Sequence, residues 1–109
     1  KDLKPKALFQ QFAEILKIPR CSGSEGKIRD YMVDFAKKRG FSYKTDEVGN
    51  VVIQVPATKG LEKAPIVVLQ GHLDMVCEKH PDYQHDFTKD PIPAIVEGDI
   101  IKTKGTTLG

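Results

Sequence analysis

Nothing in this sequence is long and apolar enough to cross a bilayer. Its longest aliphatic run, Ile66-Val67-Val68-Leu69, has four residues where a spanning helix needs about 20. The lysine-rich start has no hydrophobic signal core behind it. Neither charge is in strong excess: 17 basic residues face 15 acidic ones spread along the chain, and aromatics make up only 7%. A nucleic-acid-binding surface, which concentrates basic charge, is therefore disfavoured. Cysteine is scarce as well. Cys21 and Cys77 stand far apart with no C-x-x-C pattern, which reads as reduced thiols in a cytoplasmic protein rather than a disulfide framework. There is no internal repeat and no low-complexity segment.

What is present fits one soluble globular domain: 109 residues, 39% hydrophobic and 29% charged. Pro5 followed by Leu8, Phe9, Phe12, Ala13, Ile15 and Leu16 has the spacing of an amphipathic helix, with Phe9, Phe12 and Leu16 as core stripe. Ile18-Pro19 ends it, because the residue before proline is pushed out of the helical region. Ser22 with Glu25 reads as a capping box for a second helix, whose apolar face is Ile28, Tyr31, Met32, Phe35 and Ala36 and whose end is Gly40. Gly26-Lys27 fails as a phosphate loop, since Cys21 stands where glycine is wanted and Ile28 where Ser or Thr is. Lys37, Lys38 and Arg39 suit the negative end of that helix and form a solvated face.

Two hairpins follow from alternation and turn chemistry. The first runs from Phe41, Tyr43 and Thr45 through a turn at Asp46-Glu47-Val48-Gly49-Asn50 into Val51–Val55, with Gly49-Asn50 as the positive-φ positions. The second, shorter one spans 94–102 around Gly98-Asp99. Between them lie a polar surface loop from Pro56 to Pro65, the run Ile66–Leu69, and a long segment, Met75 to Pro93, without periodicity.

The run Ile66–Leu69 reads as a strand buried on both faces of an α/β sheet. Gln70-Gly71-His72-Leu73-Asp74 then emerges at the carboxyl end, the edge at which open α/β sheets place ligands. Residues two apart in an extended segment share a side, so the His72 imidazole and the Asp74 carboxylate can serve one site. One reading is a metal site, with the imidazole as ligand and the carboxylate fixing its tautomer. The other is a hydrogen-bonded histidine at a strand end. His80 and His85 are weaker ligand candidates, because their spacing matches neither a helical i, i+4 site nor a finger. Asp46-Glu47 reads as a solvated turn rather than a catalytic acid pair.

Several of these stretches, taken in order, resemble one family. Ile18-Pro19-Arg20, Asp46-Glu47-Val48-Gly49-Asn50-Val51, Leu69-Gln70-Gly71-His72-Leu73-Asp74-Met75-Val76, Asp99 and Gly105-Thr106-Thr107-Leu108-Gly109 look like the aminoacyl-histidine dipeptidases. These belong to the di-zinc peptidases that also include carboxypeptidase G-like enzymes and aminoacylases. The resemblance implies a three-layer α/β/α fold with a mixed sheet, of which residues 1–109 are the amino-terminal part of a single, incomplete catalytic domain. It implies that His72 ligates one of two zinc ions, that Asp74 orients His72, and that a metal-activated water hydrolyses a dipeptide. The family's bridging aspartate, glutamate base and remaining ligands would lie beyond Gly109, so the chain alone is expected to bind zinc weakly and to lack peptidase activity. A sheet face left uncovered would make it self-associate. Two other readings remain: a small non-catalytic α/β binding module, and a related di-metal amidohydrolase acting on acylated amino acids.

Overall fold

A computed structural model describes residues 3–108. They form two helices and two small antiparallel sheets, an α/β set of elements: α1 (Lys6–Leu16), α2 (Gly26–Lys38), β1 (Ser42–Thr45), β2 (Val51–Gln54), β3 (Ala94–Glu97) and β4 (Ile100–Thr103). They divide into two compact units, one of Lys1–Ile28 with Asp74–Gly109 and one of Arg29–Leu73.

In the first unit, α1 begins directly after Pro5, which occupies the N-cap with extended backbone and so launches the helix from just outside it. Leu16 is its buried residue, while Phe9 and Phe12 of the expected stripe are half-buried. Lys17 and Ile18 close the last turn through amide bonds to Glu14 and Ile15, ahead of Pro19. The Leu16 carbonyl accepts from the Ile92 amide at 2.8 Å, which ties the helix end to the approach of β3. Strands β3 and β4 pair with Val96 opposite Ile101 and Glu97 opposite Ile100, turning at Gly98-Asp99 as the alternation predicts. A Lys102–Glu97 ion pair crosses this hairpin diagonally.

The second unit takes up most of α2 and the first hairpin. Ala36 is fully buried, and the first turn of the same helix, counted with the first unit, buries Ile28 at 1% exposure. The helix ends as Gly40 predicts: the Gly40 amide donates to Lys37 and the Phe41 amide to Ala36, a Schellman pair that needs the positive φ, here 69°, that glycine adopts freely. Arg39 lays its guanidinium over the Phe35 ring at 3.7 Å, so part of the basic run caps an aromatic as well as facing solvent. Strands β1 and β2 pair with Tyr43 opposite Ile53 and Thr45 opposite Val51. In their turn the Asp46 carboxylate accepts from the amides of Gly49 (2.9 Å) and Asn50 (2.8 Å) and from the Asn50 side chain (2.7 Å). These bonds, that of the Asn50 side chain first, hold the Asp46 carboxyl below its ordinary value. Of the two residues expected to carry positive φ, only Gly49 does.

Three expectations need correction. Ile66–Leu69 is not a buried strand: it has no strand partner among the described residues, and its side chains are 79–94% exposed. Four apolar residues state a demand for burial, but a strand forms only where a neighbour supplies ladder hydrogen bonds, and none of the four described strands pairs with this run. Cys21 and Cys77 are joined in a disulfide rather than reduced. Their Cα atoms stand 5.5 Å apart because Cys21 pairs in parallel with Met75, a long-range contact that a count of spacings does not reveal. Ser22 and Glu25 do not cap α2, which starts only at Gly26. Glu25 turns back to the Gly23 amide at 2.6 Å, and the Ser22 hydroxyl is engaged elsewhere.

Candidate functional site around Asp74

The segment that follows His72 is held from two sides within the first unit. On one side, the chain leaving α1 runs parallel to it. The Met75 amide donates to the Arg20 carbonyl at 2.9 Å and the Ser22 amide to the Met75 carbonyl at 3.3 Å, the two bonds of an isolated parallel bridge. The Cys21–Cys77 disulfide staples the same two stretches two residues further on. Arg20 reinforces this contact. One guanidinium nitrogen donates to the Ile15 carbonyl at the end of α1 (3.1 Å) and another to the Met75 sulfur (3.2 Å). A cation at a helix carboxyl end is favourably placed. Burial pushes the guanidinium below its ordinary value, and Nε is left without a partner among the described residues.

On the other side stands the stretch Gly105-Thr106-Thr107. The Thr107 hydroxyl donates to the Val76 carbonyl and accepts from the Glu78 amide (3.1 Å), while Lys79 pairs antiparallel with Thr106. The His80 amide donates to Gly105 at 2.7 Å. Gly105 itself has φ +74°, and a Cβ there would come within 3.1 Å of the Tyr83 ring. The left-handed backbone favours glycine at that point, and a larger residue would also press on the Tyr83 side chain. Gly109, the last residue of the motif, lies outside the described residues.

Asp74 is the first residue of this clamped segment and is half-buried. Its Oδ2 accepts the Ser22 hydroxyl at 2.6 Å. Sequence reasoning spent Ser22 on a helix cap, and only the parallel bridge at Cys21 and Met75 brings it to Asp74. His72 is exposed and belongs to the second unit, whose last residue is Leu73.

His85, Asp86 and Asp90 of the long segment help to hold it in shape. His85 packs against Phe87 with ring centres 4.7 Å apart in an edge arrangement, and against Tyr83 at 6.3 Å. Asp86 makes a turn: its Oδ1 accepts the Thr88 amide (2.9 Å) and hydroxyl (2.6 Å), while its own amide donates to Asp90. The Thr88 hydroxyl is the main cause that lowers the Asp86 carboxyl from its ordinary value. Among the described residues no group of three or more His, Cys, Asp or Glu could hold a metal ion. Zinc takes four ligands as a rule. One imidazole and one carboxylate therefore do not complete a zinc site.

No protein-family model matches the chain. Over 107 residues, 98% of its length, the chain is 49% identical to the cytosol non-specific dipeptidase of Escherichia coli (strain K12) and covers 22% of that protein. Its structure matches the crystal structure of aminoacylhistidine dipeptidase from Vibrio alginolyticus with a TM-score of 0.93 and 46% identity, over 98% of this chain and 22% of that one. Over that part the chain shares the α/β fold of the dipeptidase structure. The chain spans about a fifth of the length of both proteins, and over that part it is similar to a cytosol non-specific dipeptidase and to an aminoacylhistidine dipeptidase.

Proposed function

We propose that a polypeptide of the relatives' length carrying this sequence is a cytoplasmic, metal-dependent dipeptidase with two zinc ions in its complete active site. Its substrates are dipeptides of the aminoacyl-histidine type. Residues 1–109 belong to its catalytic domain. His72 is a metal ligand there, and Asp74 is the carboxylate that orients it. The likeness to two dipeptidases over 98% of the chain carries this reading. The grip on Asp74 supports its second part, because a residue that sets the direction of a ligand must itself be held.

The remaining ligands and the general base belong, in this reading, to parts of the relatives' length that the chain does not span. No catalytic step is assigned to the chain alone. What it contributes is a carboxylate held at one oxygen by Ser22, on a segment clamped between the residues after α1 and those around Thr107.

The test compares the 109-residue chain with the longer polypeptide on an aminoacyl-histidine dipeptide and on an N-acyl amino acid, each with zinc supplied. Hydrolysis of the dipeptide by the longer form, with none by the chain above a buffer blank, is expected. A His72→Ala change should abolish it. Cleavage by the chain alone, or full activity in His72→Ala, would overturn the proposal. Preference for the N-acyl amino acid would move the substrate class to acylated amino acids.

A further inference from the structure

A carboxylate that orients an imidazole is useful only if its side chain is held in place. The first side-chain torsion of an aspartate has three staggered wells and its terminal torsion is broad, so the backbone alone does not fix where its oxygens stand. At Asp74 one oxygen is held by the Ser22 hydroxyl at 2.6 Å. The hydroxyl is itself placed by main-chain bonds on both neighbouring stretches. Ser22 donates its amide to the Met75 carbonyl, Met75 donates its amide to the Arg20 carbonyl, and the Cys21–Cys77 bond closes the same pairing. Ser22 thus sits one residue beyond the bridge on one stretch and Asp74 one residue before it on the other, so side-chain and main-chain contacts lock the two together. The geometry asks for no charge at residue 22, only a hydroxyl of the right reach.

We infer that Ser22 is a positioning residue for Asp74, acting through it on the imidazole that Asp74 orients. The link from Asp74 to that imidazole rests on the dipeptidase reading, whereas the link from Ser22 to Asp74 does not. Removing the hydroxyl in Ser22→Ala takes away one hold on the carboxylate and lets the side chain leave its rotamer, and Ser22→Thr restores a hydroxyl at a position that has no left-handed backbone and faces solvent.

Two measurements on the longer polypeptide keep the two links apart. The first is the set of Hα–Hβ couplings of Asp74 by NMR. They should report one side-chain rotamer in the wild type and in Ser22→Thr, and averaged rotamers in Ser22→Ala. The second is zinc affinity, which should fall about 10–100-fold in Ser22→Ala, the usual size for loss of a partner behind a ligand, and return in Ser22→Thr. Circular dichroism spectra of both variants that overlay the wild type show that the fold is kept.

Couplings of Asp74 that do not change in Ser22→Ala would overturn the inference. So would a Ser22→Thr variant as impaired as Ser22→Ala, since the hydroxyl would then not be what matters. If the wild type takes up no zinc while its Asp74 couplings still respond to Ser22→Ala, the positioning role stands and the metallopeptidase reading falls.

Discussion

The run Ile66–Leu69 offers a quantitative test of how the chain behaves in solution. Its side chains are 91, 81, 79 and 94% exposed. Full burial of an aliphatic side chain of this size is worth about 1.5–3 kcal/mol, so the four together leave roughly 6–12 kcal/mol unrealised. When two copies pair through one face, each buries alternate residues, two of its four, so the four residues covered between them recover roughly 6–12 kcal/mol. Association itself costs several kcal/mol. What survives is on the order of a few kcal/mol, and about −4 kcal/mol corresponds to a Kd near 1 mM. The chain should therefore bind an apolar dye at low concentration and self-associate as its concentration approaches the millimolar range. Val67→Lys with Leu69→Lys places two charges on one face of the run and should remove both effects. The circular dichroism spectrum should not change, because neither residue belongs to a helix or a paired strand. Sedimentation velocity and dye fluorescence read the outcome. A sedimentation coefficient that stays constant up to millimolar chain, with no more dye fluorescence than the double variant gives, would refute the reasoning.

Other consequences are more local. Asp46 has a folded pKa below its ordinary value of 3.8, so its contribution to the hairpin is complete above that value and is lost as pH falls through the folded pKa. Amide exchange at Gly49 and Asn50 should quicken only below pH 3.8, and a midpoint at or above that value would contradict the assignment. Opening the Cys21–Cys77 bond, whose sequence separation is 56, should cost about 4 kcal/mol in the chain-entropy account. Denaturant midpoints with and without a thiol reductant measure this, and equal midpoints would show that the pair does not constrain the unfolded chain. Gly105→Ala should cost about 1–2 kcal/mol for the left-handed backbone alone, with the Tyr83 contact in addition. Faster exchange of the His80 amide, which donates to Gly105, reports that loss.

Features written within a few residues of one another were legible in the sequence. The apolar stripe of α1, the Gly40 ending of α2, the Asp46 turn and the Gly98-Asp99 turn all depend on neighbours in the chain, and the structure places them where the pattern does. The run Ile66–Leu69 was legible only in part. Its composition states what the residues need, but whether the need is met depends on strands contributed from elsewhere, which no local period encodes. Ser22 fails for a related reason. Its spacing from Glu25 fits a cap well enough to hide the use that the hydroxyl finds across the bridge.

The same distinction explains why the motifs of the resemblance could be named before they could be explained. Pro19-Arg20 and Gly105-Thr106-Thr107 lie 85 positions apart at Arg20 and Gly105, and neither contains a group that would catalyse anything by itself. In the structure both close on Met75–Lys79, one through a parallel bridge and a disulfide, the other through threonine hydroxyls and an antiparallel bridge. Isolated bridges of this kind have no periodicity and no turn signal, so sequence patterning cannot announce them. Their effect is to make an otherwise irregular segment rigid where Asp74 enters it. A carboxylate that only had to be soluble would need no such enclosure. Under the dipeptidase reading proposed above, Asp74 has to hold a partner in a fixed direction, and the glycine, threonine and serine contacts then belong with it in the account of the site.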